Sequence, residues 1–461
     1  MKAKYYWMFA TLIVASMVLS ACQGQAPAST AVPSPSTSNQ LQTFDWKHYQ
    51  GQEITLLLNE HPWTEGLRPL VKEFEDQTGI KVNVQAFAED LYYDKAELAL
   101  RSDKPVADVF FLSMDSVGYA QWQANLLAPI TPYLNDPTMT SPDYDLVDFP
   151  EGFRVGATYP LTGPDAQLYG IPITFETYIL FYNKDLVNKY LGGKAPETMQ
   201  ELIADAKKIT EEGKGDVFGS VVRGIRSDTI MDTFTGVIFD SWGSDPSPLP
   251  YNLWFDGDWK KPRFTDTRIV EGLSNYASLM KYGPPNIQSI DWNEANQLFS
   301  QGKVAFYVDA SLFGPDFEDP ASSAVAGKVG YMPLPKTDKG SMTGHWMWGL
   351  GIPANSAHKE AAWYFIQWAT SKQIDPQIGT KTGGATRLST WNNPIYSQTL
   401  NPDYVTAVQT AMKTSRPTGV FFEGWKEIGM MVVDAVQEIY AGKPADQACA
   451  ELQAKALQVV K

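Results

Sequence analysis

The sequence predicts an α/β fold, divided between two lobes. Apolar runs of strand length alternate with amphipathic runs of helical length through most of the chain, a pattern that implies βαβ units and a mainly parallel sheet. Roughly 415 of the 461 residues form the globular body, more than a single hydrophobic core usually supports, so two lobes are expected.

Taken from the start, Met1-Lys2-Ala3-Lys4 precedes an apolar stretch from Tyr5 to Leu19. A short basic region before an apolar segment of this length reads as a secretory signal, too short and wrongly flanked for a permanent membrane helix. The stretch closes on Leu19-Ser20-Ala21-Cys22. That pattern resembles the bacterial lipobox, in which the cysteine is acylated and becomes the first mature residue. Residues 1–21 are therefore expected to leave as a signal peptide and Cys22 to carry lipid; an ordinary cleavage site before a chance cysteine is the alternative. From Gln23 to about Thr43 the chain is mostly Ala, Pro, Ser, Thr, Gln and Asn, without charge and with almost no large apolar side chain. It cannot bury enough apolar surface to offset its ordering entropy, so residues 22–44 read as a lipidated end and flexible tether. One acyl chain anchors only marginally, so stable attachment implies several on Cys22.

No other uninterrupted apolar run approaches the ~20 residues that cross a bilayer. The second cysteine, Cys449, is left without a disulfide partner, and the body must rely on its core. The formal charge is −15; an acidic body without basic clusters argues against nucleic acid or anionic lipid surfaces as partners.

Within the body, Gln52 to Leu58 reads as a buried strand, and Gly66 to Gln77 as a helix with Leu67, Leu70, Val71 and Phe74 on one face, ending at Thr78-Gly79. Ile80 to Phe87 alternates as a second strand, Asp90 to Arg101 reads as a helix, and Asp108 to Leu112 as a third strand. In such sheets ligands bind beyond the carboxyl ends of the strands. Those ends are Asn59-Glu60-His61-Pro62-Trp63 and Ser113-Met114-Asp115-Ser116. Further on, Leu168 to Thr174 is extended and Glu201 to Glu212 is an amphipathic helix. Ala295 to Gln301 is a short helix before Gly302, and Val304 to Val308 a strand leading into Asp309. Lys359 to Thr370, Trp425 to Tyr440 and Asp446 to Val460 read as helices.

Several segments together resemble the solute-binding proteins of carbohydrate importers, the family that includes maltodextrin-binding protein. They are Phe74 to Val82, Ala107 to Asp115 with Gly118 to Gln121, Leu127 to Thr131, and Tyr169 to Glu176 running into Phe181 to Asp185. Phe299 to Ala305, Gly330 to Pro335 and Ile352 to Ser356 follow in the family's order. The resemblance implies a two-lobed periplasmic-binding-protein-like fold of type II, with the ligand cleft between lobes joined by hinge strands. It places the crossings near Ile171 to Thr174 and Met332 to Pro335. Lobe one would then hold residues 45–172 and 333–385, and lobe two 173–332 and 386–461. It further implies a monomer that uses no cofactor or metal and delivers a carbohydrate or polyol to the permease subunits of an ATP-binding-cassette importer, touching the membrane through its lipid alone.

The composition suits such a ligand. The chain has 14 tryptophans, several at predicted strand ends; an aromatic face stacks on the C–H face of a sugar while charged groups bond its hydroxyls. Glu176 and Asp115 match ligand-contacting acidic positions of the family, with a surface salt bridge and a helix N-cap as their respective alternatives. Glu60 and Trp63 end the first strand, where a turn residue and a packing residue are the other readings. Trp346 and Trp348 share one face if extended, lining the cleft or packing as core. Arg223 and Arg387 lie in Gly-containing loops at family site positions, where a solvated arginine is equally consistent. Trp242, Asp309, Phe313 and Trp425 complete the candidates, with core packing or capping as the competing roles.

Walker A, His-Glu-x-x-His and Gly-x-Ser-x-Gly motifs are absent. Gly349-Leu-Gly351-Ile-Pro-Ala354 matches the dinucleotide fingerprint only loosely, because a proline and a strand stand where a helix is needed. A secreted glycoside hydrolase remains the rival reading, since aromatics with carboxylates also describe such sites, and a purely structural surface lipoprotein is the third. The anchor is directly testable. Cys22→Ser should release the protein from membranes; a variant that pellets with membranes to the wild-type extent would refute acylation at Cys22.

Overall fold

The computed structural model describes residues 43–460 apart from 115–116, 161–162, 228, 243–252, 257–259, 339 and 419–423. The signal segment, Cys22 and most of the tether lie outside the described residues. The body begins with β1 (Glu53–Asn59), whose Ile54, Leu56 and Leu58 are fully buried. After it come α1 (Pro62–Leu67) and α2 (Val71–Thr78). The single helix expected from Gly66 to Gln77 is broken by a 3₁₀ turn at Arg68–Leu70; Pro69 there has no N–H to offer a helical bond. Gly79, at φ +74°, ends α2 in the left-handed conformation that glycine adopts without strain. Then come β2 (Lys81–Phe87), α3 (Glu89–Leu100) and β3 (Val109–Ser113). Strand β1 runs parallel to both β2 and β3, with Leu56 opposite Val84 and Val109.

The long strand β4 (Gly170–Asn183) is buried at every position but Tyr182. Burial on both faces removes the alternation that would have marked its full length in the sequence. Beyond it lie α4 (Met199–Gly213), β5 (Phe218–Val221), α5 (Ile230–Trp242), α6 (Thr267–Lys281) and α7 (Trp292–Ser300). Helix α7 starts before the expected Ala295 because Asp291 caps it and Glu294 closes a capping box. Then follow β6 (Val304–Ala310), β7 (Val329–Pro333), β8 (Thr343–Pro353) and α8 (Lys359–Ala369). The C-terminal part comprises α9 (Asp375–Thr382), α10 (Pro402–Thr414), β9 (Ser415–Pro417), α11 (Trp425–Tyr440) and α12 (Ala445–Val459). Among the described residues no helix is long and apolar enough to cross a membrane.

The sheet runs in the order β2-β1-β3-β8-β4-β6-β5. Its two lobes meet along β4. The first half of β4 pairs with β8, Thr177 opposite His345, while the second half pairs with β6 and β7, Tyr178 opposite Ala310. The exchange of partners thus falls between Thr177 and Tyr178, a little past the expected Ile171 to Thr174. The return lies between Pro333, still opposite Ile179, and Thr343. The boundary expected at residue 385 also moves. Arg387 donates to the carbonyls of Thr370, Tyr144 and Asp145, and Ser389 bonds Asp148, which keeps this segment on lobe one. Helix α10 then rejoins lobe two against β7.

Lobe one grips the crossing strand closely. The Phe175 N–H donates to the Gly384 carbonyl at 2.8 Å, and a Cβ on Gly384 would lie 1.8 Å from the Phe175 carbonyl oxygen. Backbone cannot yield as a flexible side chain does, so Gly384→Ala should lower unfolding stability by about 2 kcal/mol or more. Urea denaturation measures this; an unmoved midpoint would show that the strand is held otherwise.

Candidate functional site

Where the lobes meet, a narrow, partly open space is lined by residues of both. Lobe one contributes Asn59, Glu60, His61 and Pro62 from the end of β1, Glu89 from the start of α3, and Trp348 from β8. Lobe two contributes Arg223 just past β5, Trp292 at the start of α7, and Leu312 and Phe313 just past β6. Glu176 stands on β4 between them. Apart from Trp348 and Glu176, these residues follow strand ends or open helices, where backbone turns away and side chains are left to face a ligand.

Glu176 is 6 % exposed, and its burial is compensated locally. Its Oε1 accepts from Thr174 Oγ1 at 3.0 Å and lies 3.1 Å from His61 Nε2. The Trp63 N–H donates to His61 Nδ1 at 3.0 Å. A neutral His61 therefore carries its hydrogen on Nε2 and donates it to Glu176. Both bonds end on Oε1, and among the described residues no donor engages Oε2. Asn59, 2 % exposed, likewise has an Oδ1 without a hydrogen-bond partner.

Arg223 is buried on the far side and fixed by a bidentate bond to Asp309, Nε to Oδ2 at 3.0 Å and Nη2 to Oδ1 at 2.7 Å. Asp309 has no exposed surface and also accepts from Tyr307 Oη and the Ala310 N–H. Such planar two-point pairing holds a guanidinium in one orientation. Two aromatic walls complete the site. Trp292, Phe313 and Tyr307 form a stack, with centroids 5.6 and 6.4 Å apart and planes tilted by 13° and 15°. Opposite, Trp348 packs against Phe111, Tyr93 and Trp346 at 5.6, 5.8 and 6.0 Å. Among the carboxyls, burial pushes Glu89 up to about 7, with Arg223 opposing the rise and Glu176 adding to it.

Of the residues singled out in the sequence, Glu60, Glu176, Arg223, Phe313 and Trp348 line this space. Trp63, Trp346 and Asp309 stand directly behind it as buried support. Three others lie elsewhere. Trp242 is sandwiched by Arg268 and Arg263, at 3.3 and 4.3 Å from its ring, and Trp425 packs on Trp254 and Phe255. Arg387, with no exposed surface, spends its donors on three carbonyls and Asp148. Asp115 lies outside the described residues. Sequence reasoning passed over Glu89 and Trp292 as individuals. The strand-end rule applied to β1 and β3 reaches Glu89 when applied to β2, while Trp292 falls before the Ala295 at which the helix is expected to begin and becomes its first residue through the Asp291 cap.

A small polar space with aromatic walls, divided between two lobes, is the architecture of a protein that closes over a solute. The chain belongs to the family of bacterial extracellular solute-binding proteins, whose model matches residues 60–375. It is similar to the erythritol/L-threitol-binding protein of Mycolicibacterium smegmatis, 27 % identical over 424 residues, which are 87 % of this chain and 84 % of that one. It is also 33 % identical to the mannitol-binding protein of Pseudomonas aeruginosa over 262 residues, 54 % of this chain and 56 % of that one. An ABC transporter solute-binding protein from Agrobacterium vitis S4, solved with bound D-mannitol, superposes with a TM-score of 0.73 at 26 % identity, covering 88 % of this chain and 98 % of that one. The fold is therefore the two-lobed one, and the chain is a solute-binding protein rather than an enzyme, which removes the hydrolase reading.

The placement of Arg387 has a measurable consequence. Truncating a buried, fully bonded cation strands its partners, so Arg387→Met should lower stability by about 3–5 kcal/mol in urea unfolding. A loss under about 1 kcal/mol would return Arg387 to the list of dispensable, solvated arginines.

Proposed function

We infer that the protein captures a small neutral polyol or monosaccharide outside the cytoplasmic membrane and delivers it to the permease of an ABC importer. The observation that carries this is the lining of the site: carboxylates, a locked arginine and aromatic rings from both lobes border one partly open space, the mix of a few polar groups and flat apolar faces that orients a small solute. A short alditol or single sugar ring, with hydroxyls on its edges and C–H surface on its faces, matches that lining. Its acceptors suit hydroxyls, since Glu176 Oε2 and Asn59 Oδ1 need donors. Trp348 on one wall and Trp292 with Phe313 on the other supply flat faces for C–H surface. The relatives named for erythritol, L-threitol and mannitol point the same way.

In this reading Glu176, Glu60, Asn59 and Arg223 bond ligand hydroxyls, and Asp309 positions Arg223. Asp115, at a matching acidic position of the family, is assigned the same role. Trp63, Trp346 and Arg387 serve the scaffold. The mature chain begins at an acylated Cys22 and is held at the extracytoplasmic face as a monomer, its tether letting the body reach both solute and permease.

Erythritol, L-threitol, D-mannitol, glucose and maltose, compared by melting, test the ligand class. A ligand at one hundred times its dissociation constant adds about 2.7 kcal/mol, and binding should depend only weakly on salt because no net charge is neutralised. Glu176→Ala should weaken affinity for the best alditol at least about tenfold, since ligand hydroxyls lose a buried acceptor. Stabilisation by peptides or anions alone, or unchanged affinity in Glu176→Ala, would refute the reading.

A further inference from the structure

Glu89 stands apart from the other acidic groups of the site. Glu176 has two protein donors on one oxygen, and Glu60 is exposed beside Arg68, 3.5 Å away. Glu89 is half-buried at the first position of α3, facing the space between the lobes. The charged and titratable groups around it come from every wall: Arg223 beyond β5, Glu176 on β4, His61 before α1 and Asp291 before α7. Arg223 is the permanent cation among them, and its charge is matched by the buried Asp309. Close by, the buried Asn59 Oδ1 has no hydrogen-bond partner among the described residues. Two acceptors on lobe one thus face the same space, and hydroxyl hydrogens are what they need.

Building on the polyol reading, we propose that Glu89 is a ligand-gripping residue that exchanges its proton for ligand hydroxyl hydrogens when a polyol enters the space between the lobes. The balance is simple. The carboxyl loses one proton to solvent, and the resulting carboxylate accepts ligand O–H groups; no bond to the ligand is made or broken. Burial raises the Glu89 carboxyl to about 7 in the empty site, whereas hydrogen bonds donated to a carboxylate lower its pKa. The filled site therefore binds fewer protons than the empty one, and affinity rises with pH up to about 7 and falls below it. A ligand carrying its own carboxylate is disfavoured, because it would meet Glu89, Glu176 and Glu60 with no unmatched cation to receive it.

Titration calorimetry of the mature chain with erythritol and D-mannitol tests this at about pH 5.5 and pH 8, and near pH 7 in two buffers of different ionisation enthalpy. The expected affinity near pH 5.5 is at least about tenfold below that at pH 8, and the heat near pH 7 differs between buffers as protons are released. Glu89→Gln should bind at least about tenfold more weakly at pH 8 and lose both the pH slope and the buffer dependence. Glu89→Asp should keep them in part. Should Glu89→Gln fail to fold, the two wild-type arms decide alone. Alditol binding that is flat in pH and independent of buffer overturns the proposal and leaves the polyol reading intact. A slope that survives in Glu89→Gln also overturns it, by assigning the proton to His61 or Glu176. No heat with any alditol or sugar at either pH would instead refute the reading beneath it.

Discussion

The structure depends on one strand serving two lobes. Residues Gly170 to Asn183 stay extended and buried while their hydrogen-bond partners change from β8 to β6 and β7. Buried backbone must be paired along its length, so the exchange can occur only where one ladder hands over directly to the next. Thr177 is the last residue opposite β8 and Tyr178 the first opposite β6. A carboxylate one position earlier would ordinarily be costly inside such a sheet. Glu176 is tolerated because Thr174 and His61 bond one oxygen and the space between the lobes accommodates the other. The strand that joins the lobes therefore also carries a polar group at their junction.

The far wall follows the same economy of charge. Arg223 is brought into the site as a donor without making the site cationic, because Asp309 is locked to it at two points. Asp309 in turn is held by Tyr307, whose ring lies against Phe313. One contiguous set of contacts thus sets the angle of a guanidinium and of an aromatic face. A site built so is suited to read the positions of neutral groups, since an uncompensated buried cation would favour anions above all else.

The fold was legible because each half of the chain repeats strand and helix at regular spacing, and because Asn59 to Trp63 and Phe175-Glu176 stand where strands end or cross. Glu60, Glu176, Arg223, Phe313 and Trp348 were found by that rule or by family position, and they do share one space. What could not be read were contacts made across hundreds of residues. Arg387 is buried by Tyr144 and Asp145, and no local pattern distinguishes such an arginine from a solvated one. Trp242 looks like any tryptophan in a Gly-flanked turn until Arg263 and Arg268 cover its faces. Glu89 follows β2 as Glu60 follows β1, so position alone marks it as a candidate; its raised pKa, caused by burial, is a property of packing rather than of spacing.

The division of the aromatic walls carries the argument from geometry to capture. Trp348 belongs to lobe one, while Trp292 and Phe313 belong to lobe two. A ligand resting on one lobe alone meets only one flat face and part of the polar set. It meets both faces, and acceptors from Asn59 to Glu176 together with Arg223, only when the lobes are closed. A ligand shifts an equilibrium by no more than its differential affinity for the two states, and because the flat faces and polar groups are split between the lobes, a solute held by both favours their approach.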